Sequence, residues 1–390
     1  MKTIAVFFGG RSVEHEVSVI TGMQVIENLD KSKYEAVPVY ITKDGKFLGG
    51  ESLSNFKTFK EGNFDDAYEV YFKAGRGGKL YRQVEEKGGL FSKGGMKEEV
   101  YADVDMVFVA LHGTFGEDGS IQGYFDTMDI PYIGCSTLSA AVGMDKKIMK
   151  DVFRAHDIPV MEGKCFYRRQ WREEKDDVKK AIVELGYPVF VKPVNLGSSI
   201  GITKVKEAAA LDDAMDLAAS YDRKILVEKA AENPREINCA VMGYAGDVIT
   251  SALEEPVGWK DLLSFDDKYV GGGKKTGPSK GKNARNCPAD VDEDLKKKIE
   301  DLAKSAFTAI DACGTARIDF LVTEAGPVVN EINTLPGSMG FYLWEPVGIP
   351  FAELLNRVIE LGEIRAKERK DTTYSYESNL FTKTTYGSKL

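Results

Sequence analysis

Residues 316–337 read Ala316-Arg317-Ile318-Asp319-Phe320-Leu321-Val322-Thr323, then Glu324-Ala325-Gly326-Pro327, then Val328-Val329-Asn330-Glu331-Ile332-Asn333-Thr334-Leu335-Pro336-Gly337. Two β-rich runs around a short Gly-Pro connection predict an antiparallel hairpin. Because side chains alternate along a strand, Ile318, Phe320 and Val322 share one face and Arg317 and Asp319 the other. On the return strand Val329, Glu331 and Asn333 are expected to point together. A register that sets them opposite Asp319 gathers two carboxylates, an amide oxygen and a guanidinium on one face. Oxygen ligands suit a hard cation, and Mg²⁺ needs one or two carboxylates plus phosphate oxygens. An isolated pattern of this kind also fits a solvated hairpin face. The Pro336-Gly337 turn directly after Asn333 weighs toward the site, because bare backbone N–H groups there can meet an anion.

Outward from this hairpin, the chain of 390 residues has room for two or three domains at about 100–200 residues each. Its 61 acidic and 52 basic residues leave a net charge of −9, which argues against a nucleic-acid surface or an anionic-membrane surface. The five cysteines (Cys135, Cys165, Cys239, Cys287, Cys313) form no C-x-x-C pair. That spacing points to neither zinc nor disulfides, and to a reducing cytoplasm. No stretch has the apolar length of a membrane span or a signal peptide. With three histidines, His15, His112 and His156, triad chemistry has few candidates.

Residues 4–8 form an apolar run ending in Gly9-Gly10, and residues 13–29 carry apolar positions at helical spacing, which opens an α/β unit. The turn lacks a full G-x-G-x-x-G fingerprint, so an anion site at the helix N-terminus fits better than a dinucleotide site. Glu14 in that turn suits either a helix cap or a substrate ammonium. Residues 45–100 read as an insert of hairpins and loops. A second buried strand, 104–111, ends in the loop His112-Gly113-Thr114-Phe115-Gly116-Glu117-Asp118-Gly119, where open α/β sheets bind ligands. Lys146 and Lys150 lie one turn apart on a helix, by default a solvated basic face. One polar helix is expected over 169–185. Lys192 stands in a strand at the base of the loop Asn195-Leu196-Gly197-Ser198-Ser199, which offers backbone N–H and hydroxyl donors to phosphate without being a Walker A motif. Glu228 ends one strand and Glu236 begins the next. Residues 265–288 form a basic, glycine-rich loop with Lys268, Tyr269, Lys274, Lys275, Lys280 and Lys282, of lid length. Beyond about 363 a surface tail is expected.

Taken in order, these stations resemble the D-alanine:D-alanine ligase family of ATP-grasp carboxylate-amine ligases, over nearly the whole chain to about residue 362. The resemblance rests on Gly9-Gly10-Arg11-Ser12-Val13-Glu14-His15-Glu16-Val17-Ser18, the 112–119 loop, Met144-Asp145-Lys146, Lys192-Pro193, Gly197-Ser198-Ser199, Lys268-Tyr269, Arg317-Ile318-Asp319-Phe320 and the 331–337 run. It implies an α/β fold, α+β in parts, with a three-domain ATP-grasp architecture: a Rossmann-like substrate-binding domain at 1–134 containing the insert, a central domain at 135–227, a C-terminal domain at 228–362 and a tail at 363–390. It also implies ATP- and Mg-dependent joining of two D-alanines through an acylphosphate, for peptidoglycan precursor synthesis, by a cytoplasmic homodimer.

Carried onto this sequence, the resemblance places Lys146 and Lys192 on ATP phosphates, Ser198 and Ser199 in the covering loop, Lys268 among the nucleotide contacts, Glu228 beside adenine and Glu236 on the ribose. Asp319, Glu331 and Asn333 would hold two Mg²⁺ ions, with Mn²⁺ as an alternative. Arg317 would neutralise the transferring phosphoryl group. Glu14 would meet the first substrate's ammonium and His112 its carboxylate, and the Gly337 N–H would face the tetrahedral oxyanion. Tyr269 matches relatives that make the dipeptide, where ester-forming relatives carry histidine. The run Ser338-Met339-Gly340-Phe341-Tyr342-Leu343-Trp344-Glu345-Pro346 departs from the family by one residue, with Tyr342 or Ser338 at the second substrate's carboxylate. That departure keeps open a paralogous ligase that joins a different amino or hydroxy acid. A nucleotide-binding protein with a dead site has no need of the intact Lys146, Lys192, Arg317, Asp319, Glu331 and Asn333.

Overall fold

The structure, a computed structural model, describes residues 1–75, 77–86, 95–257 and 284–378. Ile4, Ala5, Val6, Phe7 and Phe8 are all fully buried, as expected of a strand covered on both faces. Their strand, Lys2–Gly9, lies inside an eight-stranded sheet of order Gly95–Asp103, Lys79–Glu86, Tyr68–Phe72, Phe47–Gly49, Tyr34–Ile41, Lys2–Gly9, Met106–Val109, Tyr132–Ile133. The last four are parallel, and the insert extends the sheet with antiparallel strands. Strand order switches sides between Lys2–Gly9 and Met106–Val109, and the crevice beyond such a switch receives ligands. The turns carrying Glu14 and His112 leave the sheet there. Gly9 has φ 93°, and a Cβ on it would lie 2.3 Å from the Ile41 carbonyl oxygen, so only glycine makes this turn.

A second, four-stranded antiparallel sheet has the order Thr203–Val205, Val189–Pro193, Lys224–Lys229, Gly163–Tyr167. Val189, Val191, Ile225 and Val227 face Ile182, Leu211 and Met215 in its core. Alternation therefore sends Lys192 and Glu228 to the opposite face. The expected 169–185 helix is two helices, Arg168–Glu173 and Lys175–Leu185, broken at Glu174 (φ −128°, ψ 38°). Trp171 turns inward, where its indole N–H donates to Asp216 at 2.6 Å.

The third sheet is antiparallel, in the order Ala284–Asn286, Asp247–Val257, Arg235–Tyr244, Gly314–Thr323, Gly326–Asn333. Helix Glu293–Ala309 seals one face with Ile299, Ala303 and Phe307 against Ile237, Ile318, Phe320 and Val329. Met149, Phe153 and Ile158 belong to this same core. The final helix, Phe351–Lys370, runs past the point where the sequence suggested a surface tail. Arg365 donates to the Tyr132 carbonyl at 2.8 Å and Tyr244 donates to Glu368 at 2.6 Å, so this turn ties the first sheet to the third. Residues 372–378 are exposed.

Candidate active site

The hairpin predicted from residues 316–337 forms with Asp319 opposite Glu331 and Arg317 opposite Asn333. One expectation needs correction. Strict alternation puts Val329 on the face of Glu331, but a bulge between Asp319 and Phe320 pairs Val329 with Phe320 and leaves Asn330 as the extra residue. Val329 is therefore fully buried in the core, while Glu331 and Asn333 are half-buried on the other face. The bulge turns Asn330 to that face too, where its Oδ1 accepts from Lys192 Nζ at 3.4 Å. The polar row continues across the sheet, since Asp319 pairs with Asn238 and Asn238 with Glu254. Asn238, Asp319 and Glu254 are buried.

Asp319 and Glu331 each meet a cation. Arg317 donates two hydrogen bonds to Asp319, Nε to Oδ1 at 2.6 Å and Nη2 to Oδ2 at 2.8 Å, the fork geometry that favours arginine over lysine. Asn333 Nδ2 donates to Asp319 at 3.1 Å. Burial works against the Arg317 charge, but Asp319 outweighs it and holds the guanidinium well above its usual range. Lys146 Nζ lies 3.1 Å from Glu331 and donates to the Leu196 carbonyl at 2.9 Å. Its burial is likewise outweighed, by Glu331, Glu228 and Glu14, so the ammonium is held above its ordinary value.

The basic face expected at Lys146 and Lys150 is not solvated: both residues are buried. Helix Lys146–Ala155 buries Lys146, Met149, Lys150 and Phe153, the i, i+3, i+4, i+7 stripe of a core-facing helix. Met149 and Phe153 were the sequence signal for that. Lys150 Nζ sits 2.5 Å from Glu228 Oε1, and Lys192 Nζ 2.7 Å from Glu228 Oε2. Burial alone would raise the Glu228 carboxyl, but the two lysines pull it down to about 2.

At the crevice of the first sheet, Glu14 is buried and accepts from Ser198 Oγ in the 195–199 loop. Ser198 (φ 53°) and Ser199 (φ 58°) are both left-handed, and a Cβ on Gly197 would come within 3.1 Å of the Glu14 carboxylate. The loop thus closes on Glu14. His112 is buried and held down at about 4 by that burial, so it is neutral near pH 7. Its Nε2 lies 2.8 Å from Thr21 Oγ1, which also accepts the Ser338 N–H at 3.1 Å. This chain joins the crevice to the turn after Gly337. Glu117 accepts from the Gly113 N–H at 2.7 Å. Burial first, and Glu14 second, push its carboxyl up to about 8. Between roughly pH 4.5 and 8 the folded chain therefore holds a proton that the unfolded chain releases, and this group's contribution to stability falls as pH rises. Glu117→Gln, which mimics the neutral acid, is expected to melt above the unsubstituted protein at pH 8, with the gain shrinking toward pH 5. A gain independent of pH in thermal melts would refute a proton on Glu117.

At the far end of the row, Tyr342 Oη donates to Glu254 Oε2 at 3.1 Å and Asn238 Nδ2 donates to the same oxygen at 3.2 Å. The Arg285 guanidinium lies 3.4 Å from Glu254 and 4.2 Å over the Tyr342 ring. Burial, with Glu254 adding and Arg317 opposing, pushes the phenol up to about 12. Its only proton is committed to Glu254, so the contact expected between Tyr342 and a substrate carboxylate has a competitor inside the protein. Gly337 opens the short turn Gly337–Gly340, and Glu236 is half-buried two residues before Asn238, on the same face. Lys268, Tyr269, Lys274, Lys275, Lys280 and Lys282 lie outside the described residues.

Among the described residues no group of three or more His, Cys, Asp or Glu is placed to hold a metal. Asp319, Glu331 and Asn333 instead offer two carboxylates and an amide, a donor set that fits Mg²⁺ when phosphate oxygens complete its shell. Sequence reasoning gave no role to Lys150, Glu117, Asn238, Glu254 or Asn330, all of which the fold brings to this face or to its crevice.

Comparison with known proteins bears on this geometry. The chain matches the family description "D-ala D-ala ligase N-terminus" over residues 3–135 and "D-ala D-ala ligase C-terminus" over residues 152–360. It is 38% identical to a D-alanine–D-alanine ligase of Thermosipho melanesiensis, over 95% of this chain and 96% of that one. Among solved structures it is similar to the D-alanine-D-alanine ligase from Coxiella burnetii, with TM-score 0.77, 29% identity and coverage of 95% and 96%. It is also similar to the VanG D-Ala:D-Ser ligase from Enterococcus faecalis, with TM-score 0.75, 31% identity and coverage of 93% and 99%.

Proposed function

Because the chain belongs to the D-alanine–D-alanine ligase family, we infer that it is an ATP-dependent ligase of the ATP-grasp fold that joins two D-alanines for peptidoglycan precursor synthesis. The observation that carries this reading is the convergence of Lys146, Lys192 and Arg317 on a face bearing Asp319, Glu331 and Asn333. Phosphoryl transfer asks a protein for positioning and charge neutralisation, and that face supplies both.

A carboxylate is a poor electrophile, so an oxygen of the first D-alanine attacks the γ-phosphorus of ATP, the bond to ADP breaks, and an acylphosphate forms. The amine of the second D-alanine then attacks the acyl carbon, inorganic phosphate leaves, and the amine gives up a proton. Glu14 holds the first ammonium and the neutral His112 hydrogen-bonds the first carboxylate. Lys146 and Lys192 take up phosphate charge, Glu228 and Glu236 face adenine and ribose, and Arg317 meets the transferring phosphoryl group. The Gly337 N–H faces the oxyanion, and the Ser198-Ser199 loop excludes water from the acylphosphate. Asp319, Glu331 and Asn333 would hold two Mg²⁺ ions, or Mn²⁺, which would supply neutralising charge to the phosphates. In the described state Glu331 pairs with Lys146, and Asp319 aligns Arg317 on the site face.

The proposal includes cytoplasmic localisation and a homodimer. Among the described residues no helix is long and apolar enough to cross a membrane. We place the units at 1–134, 135–227 and from 228 through the helix Phe351–Lys370, past the boundary expected at 362, with Met149, Phe153 and Ile158 lending apolar contacts to the third.

The test is incubation with ATP, Mg²⁺ and a panel of D- and L-amino acids, following phosphate release and product mass. D-alanyl-D-alanine is the expected product, and absence of phosphate release with every pair refutes the reading. The cluster of Tyr342, Glu254 and Arg285 where the sequence leaves the family pattern supports a second reading, a different second substrate. D-serine or D-lactate outcompeting D-alanine near neutral pH would select it. The loop closed over Glu14 gives a further expectation. Protease cleavage within residues 193–201 should be suppressed by an ATP analogue with Mg²⁺, and equal cleavage with and without nucleotide would rule out a covering role.

A further inference from the structure

Glu228 is the most enclosed carboxylate of the site: its side chain is 2% exposed and it is held between two ammonium groups. The two lysines are not equivalent. Lys150 is itself 2% exposed, and its Nζ finds no acceptor beyond Glu228 among the described residues. Lys192 sits nearer the open face at 10% exposure, and its Nζ also reaches Asn330 at 3.4 Å. The other charges facing this group are paired with each other, Lys146 with Glu331. Two cations against one carboxylate leave one positive charge that Glu228 does not need.

We propose that Lys150 is a positioning residue for nucleotide binding: it stays on Glu228 and keeps that carboxylate neutralised while Lys192 moves from Glu228 to a phosphate. A buried carboxylate stripped of its last partner is strongly unfavourable. Without Lys150, Lys192 would have to stay with Glu228 and would be lost to the nucleotide. With Lys150 in place, the exchange leaves no uncompensated charge. Glu228 also keeps a fixed orientation as an acceptor for the nucleotide base. This inference rests on the assignment of Lys192 to phosphate.

The experiment is calorimetric titration of the full chain with a non-hydrolysable ATP analogue and Mg²⁺, alongside steady-state kinetics. Lys150→Met is expected to weaken nucleotide binding by about tenfold or more. The KM for ATP should rise in parallel, with kcat at saturating ATP changed by much less. The decisive comparison is Lys150→Met introduced into Glu228→Gln. With no carboxylate at 228 to neutralise, Lys192 is free whether or not Lys150 is present, so the added change should shift affinity by no more than a few-fold relative to Glu228→Gln alone; a merely structural Lys150 costs the same in both backgrounds. Lys150→Met with unchanged affinity, or a further loss of about tenfold when it is added to Glu228→Gln, overturns the inference. The double variant is read against Glu228→Gln even where Lys150→Met alone does not fold. Failure of the unsubstituted protein to bind nucleotide would instead overturn the ligase reading itself.

Discussion

Arg317→Met is expected to lower kcat by about 10³-fold or more, the scale of an arginine that neutralises a transferring phosphoryl group. The side chain is in place for that role, 22% exposed on the site face and aligned by its fork on Asp319. The same change removes the main partner of a carboxylate that is 4% exposed, leaving Asp319 with the Asn333 amide. Breaking a fully buried pair costs about 3–5 kcal/mol. The partial exposure of Arg317 makes the loss smaller here, but melting should still fall visibly. Arg317→Lys separates the two effects. It returns the charge, and with it most of the stability, but not the two-point geometry, so most of the rate stays lost. A Met variant within tenfold of the original kcat at saturating substrates would remove Arg317 from the chemistry.

Glu331→Gln is expected to reduce turnover by about 10²- to 10³-fold, the usual loss when one preorganised charge leaves a transition-state site. Stability should fall, but by less than turnover: Glu331 is 23% exposed, while the Lys146 ammonium that loses its carboxylate is 9% exposed and keeps the Leu196 carbonyl as an acceptor. Glutamine also keeps an oxygen for Lys146. The Mg²⁺ concentration that gives half-maximal rate should rise, because the metal set falls from two carboxylates to one. Near-normal turnover at saturating Mg²⁺ would take Glu331 out of that set.

Both substitutions address a hairpin whose existence and polar face were legible from residues 316–337. Arg317 and Asp319 follow from alternation alone. The return strand was read wrongly at Val329 because alternation has no term for an inserted residue, and the bulge at Asn330 is visible only once Phe320 and Val329 are paired. At Lys146 and Lys150 the helical spacing gave a shared face but not what covers it. Periodicity is a property of one segment, whereas burial depends on the partner segment, here the strand that carries Glu228. The Met149 and Phe153 stripe was available to decide the matter and outweighs the default of solvated lysines.

Strand alternation, the glycine turns and the order of short motifs are local or serial properties, so the sequence by itself determined the α/β class, the family and the shared face of Arg317 and Asp319. Partner choice is a different kind of quantity. Lys150 against Glu228, Ser198 against Glu14, Thr21 between His112 and Ser338, and Tyr342 against Glu254 each join segments far apart in the chain. Protonation follows from the same placement. His112 and Glu117 have ordinary values as residue types, and only desolvation and the neighbouring Glu14, set by how the sheets pack, move one down and the other up. The tertiary structure alone decided those pairings, because the energy of a buried charge depends on what surrounds it in space.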